Sequence, residues 1–88
     1  MRTVTMLMTT VLLGFASTAF AGPKCSAPKD QWMKESDFRA MVEKKGYQIN
    51  KFKVSSGQCY EIYGRDANGK KVEIYFDPAT GNEVKRKD

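Results

Sequence analysis

The part of the chain that most constrains its fold is residues 59–81, CYEIYGRDANGKKVEIYFDPATG. Two runs of alternating apolar and polar residues flank a short segment rich in Asp, Asn and Gly. Alternation with a period of two is typical of a strand with one buried face, and the segment between the runs favours a tight turn. The sequence therefore predicts a β-hairpin whose inner face carries Tyr60, Ile62, Val72, Ile74 and Phe76.

Two turn lengths fit this segment, and they differ in which side chains share a face. A two-residue loop of Asn68 and Gly69 would pair Ile62 with Tyr75 and place the two apolar sets on opposite faces. A three-residue loop, with Gly69 in the left-handed conformation, pairs Ile62 with Ile74. Because a shift of one residue would turn the apolar face toward water, we predict the three-residue loop.

The predicted register gives the hairpin a second face with two tyrosines and two glutamates. Tyr63 is expected opposite Glu73, and Glu61 opposite Tyr75. A single helix covers only one face of a sheet, so we expect both tyrosine rings to stay exposed. Tyrosine combines a large contact area with a polar tip and is enriched at binding hot spots. We take these four residues as the candidate partner-binding site, with ordinary cross-strand packing as the alternative.

The first 21 residues have the three parts of a secretory signal peptide. Arg2 provides a basic start, residues 4–15 form a mostly apolar run, and Ala19-Phe20-Ala21 matches an A-x-A cleavage site. The run is too short to span a membrane, and no later segment resembles a transmembrane helix. We therefore expect cleavage near Ala21 and a periplasmic or secreted protein of 67 residues, since 88 minus 21 leaves 67.

Two cysteines, Cys25 and Cys59, follow the expected cleavage site. A domain this small gains limited stability from burial alone, and an oxidising compartment favours pairing of the thiols. The chain has no His, so two distant cysteines cannot complete a tetrahedral metal site, and they lack the C-x-x-C spacing of a redox pair. We predict one intramolecular disulfide and no metal site.

The segments before the hairpin predict an extended lead-in followed by a helix. Residues 22–31 contain two prolines and few apolar side chains, which favours an extended chain. Residues 34–45 have the i, i+3, i+4 spacing of a helix with one apolar stripe, and Gly46 is suited to end it. The stripe consists of Phe38, Met41 and Val42.

The remaining segments predict two more strands. Residues 47–54 fit a strand if a bulge near Asn50 joins two halves of opposite alternation, and Phe52 and Val54 then join the core. A proline and a glycine in residues 77–81 favour a four-residue turn, which could place Val84 opposite Tyr75 in a short last strand of open register. We predict a single α+β domain over residues 32–88, with an N-terminal helix packed on a three- to four-stranded antiparallel meander.

The residue types needed for catalysis are scarce. The absence of His removes the commonest general base and metal ligand, and the serines have no evident activating partner. Glu61 and Glu73 could act as an acid and base pair, but on an open sheet such a pair more often provides solubility. The sequence contains no glycine-rich phosphate loop. We therefore expect no catalytic residues, no cofactor and no enzymatic activity.

The charge of the chain is basic. Its formal net charge is +5, and loss of Arg2 with the signal peptide leaves +4. Export argues against nucleic acid as the partner, so anionic envelope polymers, lipid head groups or an acidic protein surface are better candidates. The alternative is a solvated surface that keeps a small protein soluble.

Residues 32–86 resemble the PepSY domain, in particular its small exported stand-alone forms. The resemblance rests on a short helix ending at Gly46-Tyr47, on the hairpin of residues 59–81, and most specifically on an aromatic strand followed by Asp77-Pro78-x-Thr80-Gly81. PepSY domains occur in propeptides of thermolysin-like metalloproteases and in bacterial envelope proteins. The resemblance implies a binding module that inhibits peptidases or modulates partners outside the cytoplasm, without shared catalytic residues.

Three functional hypotheses follow from the sequence. The first is a monomeric exported module that binds a protein in the cell envelope, such as a peptidase, through Tyr63 and Tyr75. The second is an envelope module that senses a small ligand or a metal. The third is a basic binder of anionic envelope polymers that uses the lysine-rich surface, namely Lys70, Lys71, Lys85, Arg86 and Lys87.

Overall fold

The computed structural model describes residues 22–88, so the predicted signal peptide and its cleavage site lie outside the described residues. A 3₁₀ turn at Lys29–Gln31 is followed by helix α1 (Glu35–Lys44). Four strands then follow: β1 (Gln48–Val54), β2 (Tyr60–Arg65), β3 (Lys71–Phe76) and β4 (Glu83–Lys87). The α+β class is confirmed, although the lead-in and the 3₁₀ turn precede α1, so the helix is not the first element of the described chain.

The four strands form one antiparallel sheet in the order β1-β2-β3-β4. Between β2 and β3 the register pairs Ile62 with Ile74 and Tyr63 with Glu73, as predicted. Gly69 adopts a φ of +82°, and its backbone N–H donates to the carbonyl of Asp66. The three-residue loop is therefore confirmed, and with it the assignment of side chains to the two faces of the sheet.

Both edge strands contain an irregularity in their pairing. In β1 the register shifts between Ile49 and Lys51, which confirms the predicted bulge near Asn50. In β4 it shifts between the partners of Tyr75 and Phe76, so Tyr75 pairs with Lys85 and not with Val84. The sequence left this register open, and the arrangement with Val84 opposite Tyr75 does not occur, because the extra residue in β4 displaces Val84 from the ladder.

The core lies between α1 and the inner face of the sheet, the face that carries Ile62 and Ile74. Phe38 of α1 is fully buried and meets three rings of the sheet at centroid distances between 4.9 and 5.7 Å. The buried cluster comprises Phe38, Val42, Tyr60, Ile62, Val72, Ile74 and Phe76, with Phe52 partly buried against it. Val54 does not join this core and remains 42 % exposed, since it ends the edge strand β1.

A disulfide joins Cys25 to Cys59, as predicted. The backbone N–H of Cys25 also donates to the carbonyl of Gly57 at 2.9 Å, so the lead-in lies against the turn between β1 and β2. Further along the chain, Trp32 packs edge-on against Tyr60 at 5.6 Å on the core side. The lead-in therefore passes from the outer face of the sheet to the helix side, which determines how much of the outer face stays open.

Candidate functional site

The outer face of the sheet, on the side away from α1, presents an ordered pattern of tyrosines, glutamates and lysines. Directly opposed residues on neighbouring strands point to the same face. The strand registers align Lys51, Tyr63, Glu73 and Lys87 in one row across the sheet, and Lys53, Glu61, Tyr75 and Lys85 in the next. The two central strands thus carry the tyrosines and glutamates, and the two edge strands carry the lysines.

Tyr75 lies on the outer face but is not exposed there. Only 6 % of its surface is accessible. The backbone of Gly22 packs against its ring so closely that a Cβ added at Gly22 would lie 2.9 Å from Cε2 of Tyr75. The expectation that both tyrosine rings remain open is wrong for Tyr75, because the disulfide at Cys25 holds the lead-in over this part of the face.

Tyr63 is the exposed aromatic residue of the outer face, with 37 % of its surface accessible. The ammonium of Lys51, its neighbour on β1, lies 5.7 Å from the ring centroid, which is within the range of a cation–π contact. A hydrogen bond to Glu61 and partial burial raise the pKa of Tyr63 to about 12. The hydroxyl therefore stays protonated at any physiological pH, and its oxygen can accept a further hydrogen bond while its proton is donated to Glu61.

Glu61 and Glu73 form a hydrogen-bonded carboxyl pair at the centre of the outer face. Glu61 is only 3 % exposed, and burial together with the hydrogen bond to Glu73 raises the pKa of Glu61. The same hydrogen bond lowers the pKa of Glu73, whose Oε2 also accepts a hydrogen bond from the Tyr75 hydroxyl at 3.0 Å. Of the two carboxyls, Glu73 therefore ionises first as pH rises, and Glu61 keeps its proton to higher pH than Glu73 does.

The burial of Glu61 corrects the sequence-based view of this pair as two solvated charges on an open sheet. Its environment resembles that of paired acid and base groups, since neighbouring carboxyls with divergent pKa values can serve those roles. The ionised partner Glu73 is already engaged, however, by the Tyr75 hydroxyl and by the ammonium of Lys87 at 3.7 Å. These contacts fit an internal network that fixes the surface around Tyr63.

Two shallow grooves flank Tyr63 on the outer face. One has a volume of about 450 Å³ and extends toward the ends of β2 and β4; its lining includes Asn50, Arg65, Lys71 and Asp88. The other, of about 390 Å³, extends toward the disulfide end of the sheet; its lining includes Lys53, Ser55, Glu61 and Tyr75. Tyr63, Glu73 and Lys87 line both grooves, so these three side chains lie between the two.

Within residues 22–88, no group of three or more His, Cys, Asp or Glu side chains is arranged to hold a metal ion. Both cysteines of this part of the chain are in the disulfide. In the same residues, no helix is long and apolar enough to cross a membrane.

A comparison with protein-family models matches residues 5–87 to the PepSY family, described as peptidase propeptide and YPEB domain. The chain belongs to the PepSY family. No curated protein and no solved structure matches it. The family match spans the helix, all four strands and the disulfide, so the outer face described above is a surface of the PepSY domain itself.

Sequence reasoning placed all four candidate residues of the PepSY domain on one face, and the structure brings them together there. It missed the lysines on the edge strands at either side of these four residues. Lys51 and Lys53 alternate with Phe52 along β1, so the predicted bulge could have assigned both lysines to the outer face. The sequence contains no comparable signal for the burial of Tyr75, because that burial depends on the path that the lead-in takes from Cys25.

Proposed function

We propose that this chain is an exported, non-catalytic PepSY module that docks on a protein of the cell envelope, restraining a peptidase, through the outer face of its sheet. The family assignment supports a module of the peptidase-propeptide or inhibitor type. The disulfide fits an oxidising compartment outside the cytoplasm. Cleavage after Ala21 would leave a chain that begins at Gly22.

The observation that carries the proposal is the position of Tyr63. Its side chain is exposed and borders two grooves, while the residues around it are held by a hydrogen-bonded network. A rigid aromatic ring on a preformed surface loses little conformational entropy on binding, which is one reason tyrosine recurs at hot spots. Tyr75 and the carboxyl pair then support the surface, and Tyr63 provides its exposed contact.

The test compares three proteins spanning residues 22–88: the wild type, Tyr63→Ala and Val54→Ala. Val54 is a matched control because it is an exposed apolar residue of β1 whose pairing with Tyr60 places it on the opposite face. Truncation of a central hot spot costs about 2 kcal/mol or more, or roughly thirtyfold in affinity. We expect envelope proteins captured by the wild type to be retained by Val54→Ala and lost by Tyr63→Ala.

A direct assay measures the residual activity of a thermolysin-type metallopeptidase as the concentration of the wild-type module rises. Inhibition that Tyr63→Ala loses and Val54→Ala keeps would support a peptidase partner. Capture and inhibition that are the same for Tyr63→Ala and the wild type, with both proteins folded by circular dichroism, would overturn the outer face as the docking surface.

Export has a separate measurement. Mass spectrometry of the protein recovered from the envelope or medium should give the mass of a chain that begins at Gly22 and contains one disulfide. A chain that keeps residues 1–21 and remains in the cytoplasm would contradict export.

A further inference from the structure

The charges of residues 22–88 are divided unevenly between the two sides of the sheet. Of the 15 Lys and Arg residues, only Arg2 lies before this range, which leaves 14 against 10 Asp and Glu. Strand pairing places two acids, Glu61 and Glu73, on the outer face together with six bases, namely Lys51, Lys53, Arg65, Lys71, Lys85 and Lys87. The rest of these residues therefore contain eight bases and eight acids, and the whole net charge of +4 belongs to the outer face.

The arrangement of these charges is as informative as their sum. Lys51 and Lys53 lie on β1, and Lys85 and Lys87 lie on β4, so the two lysine pairs are three strand spacings apart, about 14 Å. Between them lie Tyr63 and the carboxyl pair, of which Glu73 is ionised. The face is thus positive along both edges and at the end that carries Arg65 and Lys71, with the ion pair of Glu73 and Lys87 and the tyrosine hydroxyls nearer its centre.

Resting on the docking role proposed above, we infer that the outer face recognises an acidic protein segment. The carboxylates of this segment are spaced to reach the lysine pair of β1 and the lysine pair of β4, with neutral polar residues between them. A uniform polyanion, such as a nucleic acid or an anionic membrane, would place negative charge directly over Glu73. A protein segment can instead leave its centre neutral and hydrogen-bond to the Tyr63 hydroxyl. An extended peptide covers about 13 Å in four residues, so a Glu-x-x-x-Glu spacing fits the distance between the two lysine pairs.

The probe is a capped peptide with the sequence Glu-Ser-Asn-Ser-Glu at its centre, titrated into ¹⁵N-labelled protein of residues 22–88. Two peptides serve as controls: one with glutamine in place of both glutamates, and one with the two glutamates adjacent. We expect saturable amide shifts on β1 to β4 for the spaced peptide, weaker binding for the adjacent one and none for the glutamine one. Shifts confined to α1, or equal binding of the spaced and adjacent peptides, would overturn the inference.

Matched protein variants separate local contacts from general charge attraction. Lys51→Gln with Lys53→Gln removes two charges from the outer face, and Lys44→Gln with Lys45→Gln removes two exposed charges at the end of α1. Each exposed lysine–carboxylate pair contributes about 0.2–1 kcal/mol, or roughly 1.4- to 5-fold in affinity. The β1 pair should therefore weaken peptide binding by about 2- to 30-fold, and the α1 pair by clearly less. Equal losses would overturn the inference.

Two further measurements complete the test. Because the Lys51 ammonium contacts the Tyr63 ring, Lys53→Gln alone must also weaken binding if charge is responsible. Co-sedimentation with phosphatidylglycerol vesicles, with no saturable shifts from the spaced peptide, would overturn the inference in favour of a membrane surface.

The outcomes for this inference and for the docking role can be told apart. If Tyr63→Ala loses an envelope partner that the Lys51 and Lys53 double variant retains, docking through the outer face is supported and recognition of an acidic segment is refuted. If both variants retain the partner, both proposals fall.

Discussion

Loss of the disulfide should remove about half of the stability of this domain. Cys25 and Cys59 are 34 residues apart, so the bridge closes a loop of about 35 residues in the unfolded chain. In the chain-entropy model such a loop contributes about 3.8 kcal/mol at 25 °C. Burial alone gives domains of this size roughly 3–5 kcal/mol, so the variant Cys25→Ala with Cys59→Ala should stay folded without denaturant but keep only about half of the wild-type stability.

The assay is urea unfolding followed by the fluorescence of Trp32, the single tryptophan of the chain, whose ring packs against Tyr60. With a urea dependence of about 1 kcal/mol per molar, the expected loss corresponds to a midpoint lower by roughly 3–4 M. Wild-type protein in reducing agent should give nearly the same curve as the double variant, since both lack only the bridge.

Single variants show whether the bridge or the packing of the sulfurs is responsible. If the bridge is responsible, Cys25→Ala and Cys59→Ala should each lose nearly as much free energy of unfolding as the double variant, because either change opens the loop. Cys59→Ala should lose slightly more, because Cys59 is fully buried. A stability loss in the double variant equal to the sum of the two single losses, or a total loss below about 1 kcal/mol, would refute the reasoning.

Three further predictions test the core, the edge pairing and the carboxyl pair. Ile74 is fully buried, so Ile74→Ala should lower the free energy of unfolding by about 2–5 kcal/mol in urea titrations, and a loss below 1 kcal/mol would contradict its place in the core. A Cβ at Gly64 would collide with the backbone carbonyl of Gln48, whereas at Gly69 it meets no atom within 4 Å. Gly64→Ala should therefore lower the melting temperature more than Gly69→Ala. The Gly69 variant adds only the cost of about 1–2 kcal/mol for a residue with a Cβ in the left-handed backbone conformation. The reverse order would contradict the pairing of β1 with β2. Since burial raises the pKa of Glu61 above its ordinary 4.5, the folded state binds the proton more tightly, and stability should fall as pH rises from 4.5 through the folded pKa. Glu61→Gln should lack this fall, and equal slopes for both proteins in pH-dependent urea titrations would count against a raised pKa of Glu61.

The hairpin register and the disulfide could be predicted because short-range rules determine them. Alternation with a period of two, together with a glycine suited to positive φ, allows only one register that buries Ile62 with Ile74. Two cysteines in a small domain that is predicted to be exported have few possible partners other than each other. Neither inference needs the path of the chain through space.

Exposure on the outer face was harder to predict, because it depends on segments that are distant in sequence. Tyr75 is buried by Gly22, more than fifty residues earlier, and only through the direction the lead-in takes from the disulfide. Val84 is displaced by a bulge in β4 that no residue in that strand signals. Periodicity placed Tyr75 on the correct face of the sheet but left the register of Val84 open, and it predicted the accessibility of neither side chain.

The two irregular edge strands have a consequence for how the protein behaves at high concentration. A regular edge strand offers unpaired backbone groups to which another molecule can add a strand, the first step toward fibrils. Here β1 carries a bulge with Lys51 and Lys53, and β4 carries a bulge with Lys85 and Lys87. Kinked, positively charged edges repel their own copies, so the molecule should stay dispersed in a crowded compartment and leave the part of the outer face around Tyr63 open to contact.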